Sequence, residues 1–166
     1  MRKLLAVLIV FSVLGGCRKT DEGTTENSGG EELAFDYQKM PERATINPEA
    51  TKIVEGWEEF KAFNASIDVL YKATNNEDLA LAIDDLIEKE KELNKGHYPE
   101  LFDTFQIKSR QQVVRTYLYK VKASILENQP TTEPTIDMLQ AYNAMRKQFN
   151  VIVNSQLDKK LILDEN

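Results

Sequence analysis

The sequence predicts an all-α fold: an up-down-up-down four-helix bundle over residues 48–158, preceded by a signal peptide and a disordered tether. Three observations predict the bundle. Apolar residues recur at alternating spacings of 4 and 3, the period of one helix face. Asn, Gly and Pro cluster between these stretches, around 74–76, 96–99 and 130–134, and leave connections short enough to join antiparallel neighbours. No internal repeat and no convincing strand interrupts the pattern. Val151-Ile152-Val153 is β-branched, but it continues a helical stripe.

The chain opens with Arg2 and Lys3, an apolar run from Leu4 to Leu14 broken only by Ser12, and then Gly15 and Gly16. A positive region, an apolar region and small residues form the three parts of a secretory signal peptide, here residues 1–16. As a helix the run would rise only about 16 Å against roughly 30 Å of hydrocarbon, too short for a permanent span. Leu14-Gly15-Gly16-Cys17 resembles the lipobox of bacterial lipoproteins. The resemblance implies a diacylglyceryl group on the Cys17 thiol, cleavage before Cys17 and acylation of the new amine. Cys17 is the only cysteine, so no internal disulfide can form. Two or three acyl chains hold a protein firmly where one binds reversibly. The expected partner through Cys17 is therefore a membrane, touched by lipid and not crossed.

Residues 17–47 read as the lipidated cysteine and a flexible linker. Positions 18–32, RKTDEGTTENSGGEE, carry no large apolar residue and cannot offset the entropy of ordering. Arg18 and Lys19, rather than Asp, follow Cys17; by resemblance to Gram-negative lipoproteins this favours the outer membrane, on its periplasmic or surface face. The run Arg18-Lys19-Thr20-Asp21-Glu22 is loosely similar to surface-export signals of Bacteroidota lipoproteins. Leu33, Phe35 and Tyr37 alternate with other residues, a pattern that also suits an extended strip lying on the domain.

The first helix is expected from Pro48, with Asn47 as its cap. Its stripe is Ile53, Trp57, Phe60, Asn64, Ile67 and Tyr71, widened by Phe63 and Leu70. Trp57 is expected in the core. Asn64 falls on the seam, where the hydroxyl of Tyr117 or Tyr142, or a bound water, is its expected partner; a register role predicts that Asn64→Leu keeps or raises stability. Thr74-Asn75-Asn76-Glu77 has the form of a capping box and opens the second helix. That helix carries Leu79, Ile83, Leu86, Glu90 and Leu93, with Ala82 and Ile87, and stops at Gly96. Leu101, Phe102 and Phe105 form a short helix or plug after Pro99. The third long helix carries Ile107, Gln111, Val114, Leu118, Val121 and Ile125. The fourth starts near Thr135, carries Leu139, Tyr142, Met145, Phe149 and Ile152, and fades near Leu157, leaving a tail at 159–166.

Charge favours particular neighbours. From Thr104 to Leu126 there are five bases and no acid, whereas the second helix is rich in Asp and Glu, so the two relieve like-charge repulsion when adjacent. The net charge of −6 becomes more acidic once Arg2 and Lys3 are removed, which argues against nucleic acid and against direct binding to anionic lipid.

Motifs for catalysis are missing: there is no Gly-rich phosphate loop, HExxH, CxxC or GxSxG. The single histidine, His97, lies in a Gly-His-Tyr-Pro loop without ligand partners. Asp84 and Asp85 point about 100° apart on a helix, unlike an acid/base pair. Asn64-Ala65-Ser66 matches a glycosylation sequon but sits mid-helix. In size and helix order the bundle is broadly similar to the cytochrome b562 class, a resemblance that implies an axial Met on the first helix and an axial His on the last. Neither is present, so the haem site does not carry over. A di-metal bundle needs inward Glu-x-x-His, also missing. Glu90 and Gln111 share one end of the bundle with Arg110 nearby, favouring a frayed, solvated end over a small polar pocket or partner-docking site. The expectation is a non-catalytic, lipid-anchored module of the cell envelope with no cofactor or metal, docking an envelope component or protein partner. A small-ligand-binding bundle and an enzyme of unrecognised type are the alternatives.

Overall fold

The computed structural model describes residues 34–164, with side chains to Gln156. The expected signal peptide, Cys17 and the tether at 18–32 lie outside the described residues. Among the described residues all regular structure is helical. A 3-10 turn, Tyr37–Lys39, precedes five α-helices: α1 Pro48–Glu55, α2 Glu58–Leu70, α3 Asn76–Lys95, α4 Phe105–Leu126 and α5 Thr132–Asp164.

The expected first helix is two helices. Asn47 caps α1 as its sequence suggests, its side chain accepting from the Ala50 amide at 2.8 Å. The chain then breaks at Gly56 and Trp57, the latter extended at φ −102° and ψ 93°. Glycine is about 1 kcal/mol poorer than alanine inside a helix, so the break is placed where helix is weakest. It turns the indole of Trp57 inward, where only 2% of the residue stays exposed. Ring centroids lie 5.4 Å from Phe60, 5.0 Å from Tyr98 and 6.2 Å from Phe149.

Asn75, one residue later than the capping box suggested, caps α3 by accepting from the Asp78 amide at 2.8 Å. The α3 stripe is buried along its whole length, Glu90 included. After Gly96 the Pro99 carbonyl closes a turn onto the Phe102 amide, and Phe102 plugs the core. Phe105 does not join it; it opens α4 at 84% exposure, because Thr104 caps the helix there and turns that position outward. α4 ends in a Schellman-type turn: the Asn128 and Gln129 amides donate to the Ile125 and Ser124 carbonyls, with Asn128 at φ 51°, a left-handed position that asparagine tolerates. α5 begins at Thr132, with Pro134 in its first turn, where a missing N–H is harmless. It runs on to Asp164 instead of fading near Leu157, since no Gly or Pro follows Pro134.

α2 packs on α3, α3 on α4 and α4 on α5, while α1 packs on α2 and α5. Residues 34–47 lie on these helices rather than apart from them. Phe35 is buried in the common core. The rest forms a strap along α5, whose Asn143, Arg146, Asn150 and Asn154 recur at helical spacing on one face. Asn143 Oδ1 accepts from the Ala44 amide at 2.8 Å and its Nδ2 donates to the Glu42 carbonyl. Asn150 Oδ1 accepts from the Asn47 amide at 2.8 Å, and its Nδ2 donates to the Thr45 carbonyl. Asn47 Nδ2 reaches Asn154 at 3.0 Å. The strap is extended without a neighbouring strand, so these side chains satisfy backbone groups that a sheet would otherwise satisfy.

Candidate functional site

The strap, α1, α2 and α5 enclose an open groove of about 580 Å³. Each wall follows from local sequence. Met40-Pro41 and Asn47-Pro48 hold the strap extended, because the residue before proline is driven from helix; Arg43 therefore projects between two fixed points. The α1–α2 break brings Val54 and Phe60 to the groove from different helices. α5 supplies Arg146.

Arg146 organises the floor. Its Nε donates to the Ala44 carbonyl at 2.7 Å. Its Nη1 donates to Asn64 Oδ1 at 2.9 Å and to the Tyr142 hydroxyl at 3.0 Å. Tyr142 itself donates to Asn64 Oδ1, so the seam amide found its tyrosine, with an arginine beside it. Tyr117 lies elsewhere, under Lys120. Arg43 pairs with Asp68 and lies 5.2 Å over the Tyr71 ring, while its Nε is buried without a hydrogen bond. Tyr71 donates to the Pro41 carbonyl at 2.7 Å. Burial pushes the Tyr71 and Tyr142 hydroxyls above the usual range, and both guanidinium groups oppose that rise. Arg43 and Arg146 thus act on the same small region.

Lys61 lines the groove too, paired with Glu58 at 2.9 Å, and Glu55 is its acidic member. Among the described residues Arg146 has no carboxylate partner. The hydroxyl of Thr51, a nucleophile by type, donates to the Asn47 carbonyl at 2.8 Å.

A second polar cluster lies across the bundle. Glu90 and Gln111 are each 1% exposed, so this is neither a frayed end nor an open pocket. Glu90 accepts from Gln111 at 2.9 Å and from Arg115 Nε and Nη2 at 2.7 and 2.9 Å. Tyr98 donates to Gln111 Oε1. Arg115, not the exposed Arg110, is the partner, because it lies one helical turn beyond Gln111 on the side facing Glu90. The hydrogen bonds to Glu90 raise the Arg115 pKa further. Every group is satisfied, as a structural network requires.

Of the other sequence candidates, Cys17 lies outside the described residues. His97 is exposed in its loop. Asp84 and Asp85 go to different partners, Lys122 and Ser66. Among the described residues no group of three or more His, Cys, Asp or Glu could hold a metal ion. None of their helices is long and apolar enough to cross a membrane. The sequence reading missed Arg43 and Arg146, which are far apart in the chain. A signal existed: Asn143, Arg146, Asn150 and Asn154 form a polar stripe, and the first three bind strap backbone although their helix needs no such help itself. No family model, curated protein or solved structure matches this chain.

Proposed function

We propose that the chain is a bacterial lipoprotein, anchored in the cell envelope by lipid on Cys17 and presenting an up-down-up-down four-helix domain as a non-catalytic binding module. The observation that carries the proposal is the position of the single cysteine: Leu14-Gly15-Gly16-Cys17 stands where an apolar run gives way to a polar stretch. Arg18 and Lys19 favour the outer membrane. Contacts between helices support the topology. Asp84 meets Lys122 and Glu90 meets Arg115, so register rises on α3 as it falls on α4. Phe60 meets Phe149 and Phe63 meets Tyr142, the same inverse relation between α2 and α5. Two arginines and a lysine against the single carboxylate of Glu55 in the lining support the binding of an anionic group. Metabolic labelling with an alkyne fatty acid tests the anchor: the unaltered chain takes up label and Cys17→Ala does not. Continued labelling of Cys17→Ala would overturn it.

The groove also favours a small-ligand reading over a purely protein-docking one. Its volume lies within the range of small-molecule sites, about 300–1,000 Å³, and it combines apolar walls with a few placed polar groups.

A further inference from the structure

We propose that the groove between the strap and helices α1, α2 and α5 binds a carboxylate carried on an apolar body, held by Arg146 and Arg43 with the body against Ile46, Val54 and Phe60. The inference deepens the binding-module reading and rests on it.

Charge argues first. The chain is acidic, at net −6, yet the groove lining holds Arg43, Lys61 and Arg146 against Glu55 alone. Asp68 and Glu58 answer Arg43 and Lys61 from outside it. Arg146 is answered by no carboxylate among the described residues, only by the neutral acceptors of Ala44, Asn64 and Tyr142. Arg146 is the one cation of the lining without a carboxylate in contact among the described residues, and a guanidinium so placed beside an apolar wall suits a monoanion. A dianion would overshoot its single charge and would sit badly beside Glu55.

Donor geometry argues second. Arginine carries five N–H donors in a fixed fork. The Nε and Nη1 hydrogens of Arg146 are committed to the strap, Asn64 and Tyr142, which lock the plane of the guanidinium. Among the described residues Nη2 has no acceptor. The position is preorganised by groups that gain nothing from the ligand, which lowers the entropy lost on binding. Arg43 adds a buried Nε with no acceptor, an arrangement that disfavours the empty state. A small shift of that side chain toward a ligand oxygen would relieve it. The bound state thereby gains an interaction that the empty state lacks.

The carboxylate could belong to a free organic acid or to the C-terminus of an apolar peptide. Both present the same group on the same kind of body. The test is calorimetric titration of the full chain with hexanoate and with N-acetyl-Val-Leu, each beside its neutral amide. At least one acid is expected to bind ten-fold or more tightly than its amide, and which one does identifies the source. Arg146→Gln should weaken that acid at least ten-fold, and Arg43→Gln several-fold, with helicity by circular dichroism unchanged. Should Arg146→Gln unfold, the acid-against-amide comparison on the unaltered chain still decides. Equal binding of acid and amide overturns the carboxylate assignment while leaving a binding groove. Acid binding that survives both substitutions, or no binding by either acid, overturns the site. None of these outcomes touches the Cys17 labelling result, so failure here and failure of the anchor are separable.

Discussion

Asn64 shows how one extra neighbour reverses an expectation. A lone seam amide can be replaced by leucine with little loss, because only its own polar group is removed. Here Asn64 Oδ1 is the shared acceptor of Tyr142 and Arg146. Asn64→Leu leaves a buried hydroxyl and part of a guanidinium short of a partner. The expected loss is about 1–3 kcal/mol, read from the midpoint of urea denaturation. Tyr142 itself gives a pH signature. Burial raises its folded pKa above the ordinary 10.0 that it would have unfolded. The folded state then holds the phenolic proton more tightly than the unfolded state does. That contribution is complete below pH 10 and is lost as pH rises through the raised value. A spectroscopic titration should show Tyr142 keeping its proton beyond the ordinary tyrosine range, with cooperative unfolding in the same alkaline window.

Between elements, the Glu90 network joins α3 to α4 through buried charge. Removing one member strands the other, at an expected cost of about 3–5 kcal/mol. Glu90→Ala should therefore destabilise by that amount, and Glu90→Leu combined with Arg115→Met should recover most of it in thermal melts. The strap makes a different prediction. Its Ala44 and Asn47 amides bond to side chains of α5 instead of to a helix ladder. In hydrogen exchange they should open well before the α3 and α4 core amides, and Asn143→Ala should speed Ala44 without changing α4. These two features also mark what the sequence made legible. The stripes of α3, α4 and α5 were readable because helix burial repeats locally, and each named apolar position of α3 is buried. The α1–α2 break was less readable: Ile53, Trp57 and Phe60 keep helical spacing straight through it, and only Gly56 hinted at a turn. The groove was illegible because its two arginines are joined by tertiary contact alone. Glu90 was visible as a seam position, but its partner depends on the relative depth of two helices.

At the scale of the whole molecule, two kinds of contact coexist. Helix neighbours in sequence are neighbours in space, and such local contacts form early. The strap contacts join residues about a hundred positions apart, as with Asp36 and Thr132 or Asn47 and Asn150. They close the largest loops and should form last. The strap also runs in the same direction as α5: Asp36 lies by Thr132, Ala44 by Asn143 and Asn47 by Asn150. That alignment has a mechanical meaning. Tension between the two ends of the chain draws the strap one way along α5 and α5 the other. The strap bonds are then loaded together in shear instead of being unzipped one after another, so the strap resists until the helices give as well. Fully drawn out, residues 34–47 reach at most about 45 Å, at roughly 3.3 Å per residue. In a force-extension trace across the whole chain, this predicts one main step in which strap and helices part together; a small early step would mean that the strap bonds break one at a time. Because Arg146 grips both Ala44 and the groove floor, pulling the strap away also dismantles the groove. A fold held this way couples how hard its N-terminal end is pulled to whether its site exists at all.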